Sequence, residues 1–185
     1  MSIAIGAHDL TTFASAISCA SNALTFAGGS SVAVWITGRT ASTSVTPTVT
    51  DSAGNTYTQI EALNTGFWLF NCDNVTGGSG IVVSVTIGLT MTAGMLFVAE
   101  IQGTDGLDVH ASAGSLTASQ AVTTATTTVA SELVLTGGVS KDNNNPSSLA
   151  NASETIIDQN LVGSSTAQVS AWGYDLIVST GAQTR

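Results

Sequence analysis

Two aspartates and a histidine within six positions form the best candidate for cation binding in the sequence. Asp105, Asp108 and His110 carry oxygen and nitrogen donors of the kind that metal ions take in proteins. The alternative is a loop that follows a strand, because Asp-Gly is common turn chemistry and the Asp-x-Asp-x-Asp-Gly pattern of a calcium loop does not occur. The loop is the favoured interpretation, and these three residues are the metal candidates if a cation binds.

No arrangement of nucleophile and base is visible in the sequence. His8 and His110 have no serine or cysteine partner at a recognisable spacing, and no Gly-x-Ser-x-Gly elbow occurs. A glycosidase needs two carboxylates that face each other across a cleft. The glutamates stand alone in the sequence and are interpreted as solvated carboxylates: Glu61, Glu100, Glu132 and Glu154. The sequence predicts a protein that is not an enzyme and that needs no cofactor.

Aromatic residues offer a second kind of site, a platform on which a sugar ring stacks. Trp35 and Trp68 lie inside apolar runs and are expected in the core. Trp172 and Tyr174 are two positions apart, so they share one face of a strand and are the candidates for ligand binding. Core packing is the favoured interpretation for these two residues as well.

The composition excludes two classes of partner. Of 185 residues, 12 are acidic and 3 are basic, which gives a formal net charge of −9. Nucleic acids and anionic membranes both require a positive patch, which three dispersed basic residues do not supply. The 28 threonines and 23 serines take the surface role that charged residues, only 8% of the chain, usually fill. We therefore expect neither a nucleic-acid nor a membrane partner.

The elements that position these residues are expected to be β-strands. Threonine, serine, glycine and valine dominate the chain, and these residues are poor helix formers. About ten short strands are separated by Gly, Asn and Asp, and this regular spacing predicts an antiparallel β-sandwich or jelly roll. The predicted strands are 31–37, 45–50, 56–60, 66–70, 81–87, 95–101, 121–129, 132–136, 155–159 and 168–178.

Local chemistry adds two expectations about the early strands. Pro47 has no N–H to donate, so the strand 45–50 should lie at a sheet edge. Residues 51–55, Asp-Ser-Ala-Gly-Asn, have the composition of a turn, and the strand 56–60 is expected to return from it as a hairpin.

Two further features leave alternatives open. Residues 1–27 are weakly patterned and are either a first strand or an N-terminal arm, and residues 28–185 form the sandwich domain. Cys19 and Cys72 are most simply two buried thiols, and a disulfide between them is the alternative. The first residues lack the cationic start and continuous apolar run of a signal peptide, so export by that route is not expected.

A series of strand and turn motifs resembles a β-sandwich module of phage structural proteins and bacterial exterior proteins. The resemblance spans residues 27–180 and follows a fixed order: an Asp-Ser-x-Gly-Asn-Thr turn, an aromatic strand, a Gly-Gly turn and a valine strand. The matching stretches are 49–58, 67–70, 74–79, 82–86, 97–103, 107–108 and 131–135. These motifs mark strands and turns, so they indicate the fold more directly than the function.

The resemblance implies a capsid decoration (cement) protein, because the module makes up nearly the whole chain. It implies a non-enzymatic virion protein that is assembled in the host cytoplasm and binds the outer surface of the head. The expected partners are the major capsid protein and further copies of the chain, with a trimer as the expected oligomer. A tail or fibre component and a carbohydrate-binding module for attachment are the alternatives.

Overall fold

The fold is described from a computed structural model, which describes residues 3–39, 45–63, 66–104, 106–112, 123–126, 132–140, 155–162, 168–177 and 182–184. All regular structure in these residues is β, and their strand pairings are antiparallel, so the expected all-β class is confirmed. The strands are β1 (Ala4–Phe13), β2 (Ala16–Ala20), β3 (Leu24–Phe26), β4 (Ser31–Arg39), β5 (Thr48–Asp51), β6 (Thr58–Leu63), β7 (Phe67–Cys72), β8 (Gly78–Ile81), β9 (Val83–Met91), β10 (Ala93–Gln102), β11 (Thr123–Thr126), β12 (Glu132–Ser140), β13 (Thr155–Val162), β14 (Gln168–Ile177) and β15 (Ala182–Thr184). Among the residues described, no helix has the length and apolar character needed to cross a bilayer.

A five-stranded sheet, called here the central sheet, has the order β1-β10-β4-β7-β6. The first eight residues of β10 are all buried. Because successive side chains of a strand point to opposite faces, continuous burial means that both faces of the sheet are covered. β7 shows the same pattern, with only Leu69 half-exposed, as predicted for the apolar strand 66–70.

A second sheet, called here the outer sheet, has the order β2-β9-β5. The β3-β8 pair continues it, since the amide of Ser21 donates to the carbonyl of Val83 at 2.9 Å and Leu24 aligns with Ile81. One face of β9 is buried and the other is largely exposed. The buried face packs on the central sheet in one hydrophobic core, and the two sheets form a β-sandwich. The jelly-roll topology stays a prediction.

The chain crosses between the two sheets after β5. β5 pairs with β9 in the outer sheet, whereas β6 pairs with β7 in the central sheet. The predicted hairpin through residues 51–55 is therefore wrong. β5 is the outermost strand of its sheet, so the edge position expected from Pro47 is confirmed.

The second face of the central sheet carries its own hydrophobic cluster, which includes Trp35, Phe67 and Phe97. Trp35 and Phe97 pack with ring centroids 5.7 Å apart. Leu135 of β12 packs against this cluster, β13 contacts β1 and β10, and β14 contacts β10. The sheet β12-β14-β13 therefore covers the central sheet on the side away from the outer sheet. The small β11-β15 pair completes the described strands.

Candidate functional site

The motif that carries the family resemblance folds as a carboxylate-centred turn at the end of β5. Oδ1 of Asp51 accepts hydrogen bonds from the amides of Ala53 and Asn55, each at 3.0 Å. Oδ2 accepts from Nδ2 of Asn55 at 2.7 Å and from the hydroxyl of Tyr57 at 2.9 Å. Four donors from the next six residues thus close a turn around one carboxylate. After this turn the chain leaves the outer sheet and joins the central sheet as β6.

The same turn is joined to a distant loop by the side chain of Asn55. The amide of Thr76 donates to Oδ1 of Asn55 at 2.6 Å, 21 positions along the chain. Burial raises the pKa of Asp51, but the donors of Asn55, Tyr57 and Ala53 outweigh it and hold the pKa below its ordinary value. Burial, and then the hydrogen bond to Asp51, raise the pKa of Tyr57 far above its ordinary value. Asp51 is therefore an ionised acceptor and Tyr57 a neutral donor.

Glu100 of β10 is a second saturated carboxylate, and it is fully buried. Its Oε1 accepts from the amide of Ala27 at 2.5 Å and the hydroxyl of Ser30 at 2.8 Å. Its Oε2 accepts from the amide of Ala7 at 3.1 Å and Nε2 of Gln102 at 2.9 Å. The interpretation of Glu100 as a solvated carboxylate is therefore wrong.

The donors around Glu100 explain how a charge is tolerated in the core. Burial raises the pKa of Glu100, but the amides of Ala27 and Ala7 and the side chains of Ser30 and Gln102 outweigh it, so the pKa lies below its ordinary value. A general base needs a pKa near the working pH and access to a substrate proton. Glu100 meets neither condition. Its hydrogen bonds instead connect β10 to β1 and to the loop before β4.

Hydrogen bonds to the carboxylate of Asp9 connect β1 to the loop after β2. Its carboxylate accepts from the backbone amide of Asn22 at 3.1 Å, from Nδ2 of Asn22 at 2.7 Å and from the Thr11 hydroxyl at 2.7 Å. His8, beside it, is exposed and its Nδ1 lies 3.3 Å from the carbonyl oxygen of Gly6. The geometry places no nucleophile against this histidine among the contacts of the described residues.

An open groove of about 510 Å³ lies at the end of β6 and β7. Its lining includes Thr56, Thr58, Ile60, Asn71, Asp73 and Leu107. Thr58 and Asn71 are paired across the two strands, and Leu107 comes from the loop after β10. The groove offers hydroxyl, amide and carboxylate groups beside two aliphatic side chains, so its lining has donors and acceptors for hydrogen bonds.

Asp73 organises the polar end of this groove. Its Oδ1 accepts from the hydroxyl of Ser31 and from Nδ2 of Asn71, both at 2.8 Å. Gly106 lies so close that a Cβ on it would approach the carboxylate carbon of Asp73 to 3.0 Å, at a φ of +128° that glycine favours. The loop after β10 therefore packs against the end of β7.

The predicted metal candidates lie in that loop. Asp108 and His110 are both exposed, and Asp105 lies outside the described residues. Within the part of the chain that the structure describes, no group of three His, Cys, Asp or Glu side chains is placed to hold a metal ion. The candidate set includes Asp105 and is therefore not tested, and the loop stays the favoured interpretation.

The aromatic candidates lie on the middle strand of the sheet that covers the central sheet. Trp172 is aligned with Gly137 and Asp158, and Tyr174 with Leu135 and Thr155. Their side chains lie outside what the structure describes, so core packing stays the favoured interpretation and ligand binding the alternative. Trp35 and Trp68 are only 5% and 3% exposed, which confirms the core positions expected for them.

Cys19 and Cys72 are both free thiols. Cys72 is buried in the core between the central and outer sheets, and Cys19 packs against the same core. Burial raises the pKa of Cys19 to about 12 and also raises the pKa of Cys72. The interpretation as two buried thiols holds for Cys72, whereas Cys19 is half-buried, and the alternative disulfide is not formed.

Sequence reasoning missed Asn71 and Asp73, the groups that shape the groove. The signal was present as a polar run directly after an apolar strand, Asn71-Cys72-Asp73-Asn74. It missed the role of Glu100 because three of its four donors are 70, 73 and 93 positions away in the chain.

Comparison with known proteins returned no match: no family model, no curated protein and no solved structure is significantly similar to the chain.

Proposed function

We propose that the chain is a non-enzymatic capsid decoration protein that binds the outer surface of a phage head through the major capsid protein and stabilises it. One observation carries the proposal: the Asp51–Asn55 motif, the first in the series that resembles phage virion modules, is the polar junction between β5 and the loop of Thr76. A motif used in this way supports a structural role for the chain.

The way in which the chain uses its acidic groups also supports the proposal. Asp9, Asp51, Asp73 and Glu100 accept hydrogen bonds that fasten loops and strands. These side chains rigidify a sandwich, and a rigid sandwich is suited to persistent binding on a particle surface. The net charge of −9 fits a position outside the shell, since a protein that faces the packaged genome is expected to be basic.

Decoration proteins stabilise a shell by mass action, because they bind assembled shell and not free subunits. The experiment that tests the proposal adds the purified chain to phage heads produced without it. The proposal predicts saturable binding in many copies, at a fixed ratio to the major capsid protein, with release of packaged DNA at a higher temperature. Binding in only a few copies at one vertex would indicate a tail component instead, and no binding at saturating concentration would contradict the proposal.

A further inference from the structure

The exposed face of the outer sheet is free of charge along its whole length. β2, β3, β5, β8 and β9 together contain one charged residue, Asp51, and its carboxylate is held within its own turn. The other eleven of the twelve acidic residues lie elsewhere in the chain. The outward residues of these strands are mostly threonine and serine: Ser18, Ala20, Thr25, Thr48, Thr50, Ser84, Thr86 and Thr90. These eight residues are called here the hydroxyl face.

The hydroxyl face is ordered by the strand register. Thr86, in the middle strand, is aligned with Ser18 on one side and with Thr48 on the other. The next outward row joins Ala20, Ser84 and Thr50 in the same way. Two rows of small side chains therefore cross three strands, beside inward residues that belong to the hydrophobic core.

We propose that a second copy of this chain packs on the hydroxyl face, with the same face of both copies in contact about a two-fold axis. Each copy has a net charge of −9, so two copies repel each other wherever their charged surfaces meet. The strands of the hydroxyl face contribute only one charged residue, Asp51, so this repulsion is small there. A partner of opposite charge, in contrast, is better matched by the acidic parts of the chain.

The hydroxyl groups of this face can form hydrogen bonds with the same face of a second copy. A serine or threonine hydroxyl both donates and accepts a hydrogen bond, so a surface of hydroxyl groups is complementary to its own copy. Ile17 adds an apolar anchor at the bulge beside Ser18, where 55% of its side chain is exposed. Depletion of charge around a buried apolar anchor is the usual pattern at the centre of a protein interface.

The size of the face lies at the lower limit for a specific interface. At about 3.3 Å per residue and about 4.8 Å between strands, the face is three strands wide along residues 83–86 and two strands wide along the rest of 78–91, an area of roughly 500 Å². A pair of such faces buries on the order of 1,000 Å² in total, about the smallest area expected of a specific interface. The proposed dimer is an alternative to the trimer expected from the family resemblance, and it does not rest on the proposed function.

Sedimentation of the full chain tests this inference. The wild-type chain is expected to sediment as a dimer, and Thr86→Asp as a monomer, with self-association weakened about 100-fold or more by two like charges in the interface. The matched control is Thr12→Asp, which adds the same charge at an exposed position on β1, an edge strand of the central sheet, and should leave the dimer intact. Ile17→Ala, at an exposed side chain, should weaken the dimer without affecting the fold.

Mixing experiments decide whether the face contacts itself. Thr86→Lys alone is expected to be monomeric, and an equimolar mixture of Thr86→Lys with Thr86→Asp is expected to restore dimers, since opposite charges then meet. A wild-type chain that stays monomeric, a dimeric Thr86→Asp variant, or a mixture that stays monomeric would overturn the inference. If Thr86→Asp loses binding to phage heads while the wild-type chain is monomeric, the face belongs to the shell and not to a second copy.

Discussion

Glu100 lies against the backbone of Gly6, at the position that a side chain on residue 6 would occupy. A Cβ built on Gly6 would overlap Oε2 of Glu100 and lie 2.8 Å from its Cδ. The register of β1 and β10 shifts between Ile5 and His8, so β1 bulges at this point and its Ala7 amide turns to the carboxylate. The absence of a side chain at Gly6 on the edge strand β1 therefore leaves room for the buried carboxylate of Glu100 on the neighbouring strand β10.

Replacement of Gly6 by alanine tests the close packing of Gly6 against Glu100. Gly6→Ala is expected to lower the free energy of unfolding by roughly 1–3 kcal/mol, because the added methyl group displaces either β1 or the carboxylate. Urea denaturation measures the change. Gly78→Ala is the matched control, because its Cβ would meet only the Ile81 side chain at 3.7 Å or more. Equal stability of the two variants would contradict the close packing of Gly6 and Glu100.

Glu100→Gln is expected to destabilise the fold by roughly 1–3 kcal/mol near neutral pH, because an amide NH₂ then faces donors that have lost an acceptor. The pKa of Glu100 is lower in the folded chain than its ordinary value of 4.5. Its contribution to stability is therefore present above that ordinary value and is lost as the pH falls through the folded pKa. Urea denaturation as a function of pH should show that the difference in free energy of unfolding between the wild-type chain and Glu100→Gln becomes smaller in acid. A difference that does not depend on pH would contradict this role.

Tyr57 gives a complementary test at alkaline pH. Its pKa is raised above the ordinary value of 10.0, so the hydrogen bond to Asp51 is fully present below pH 10 and is lost as the pH rises through the folded pKa. In a spectrophotometric titration of native protein, the difference between wild type and Tyr57→Phe should show no tyrosinate appearing near pH 10. A phenolate signal from Tyr57 at that pH would contradict the contact.

The two thiols are expected to be unreactive in the native protein. Burial raises the pKa of Cys19 to about 12 and raises that of Cys72 as well, so the thiolate that attacks a disulfide reagent is scarce at pH 8. Titration with such a reagent should detect almost no thiol before unfolding and two per chain in denaturant. Fast native labelling of Cys19 or Cys72, or fewer than two thiols in denaturant, would contradict the structure.

Local patterns in the sequence predicted β4–β7 and β9–β14 but not β2, β3, β8 and β15, and they did not predict the contacts between distant residues. Continuous apolar runs located β7 and β10, and Pro47 located an edge, because burial and missing donors are local properties. The hairpin at residues 51–55 was mispredicted because composition marks a turn without specifying which sheet the next strand joins. The donors of Glu100 and the groove around Asp73 depend on loops brought together by folding, which residue spacing does not reveal.

Thermal release of DNA from phage heads tests the central claim most directly. Heads that lack the chain are compared with the same heads after saturation with it, with DNA accessibility to a dye followed as the temperature rises. The proposed decoration function predicts that saturated heads release DNA at a higher temperature, in proportion to the number of copies bound. Identical release temperatures for bare and saturated heads would contradict it.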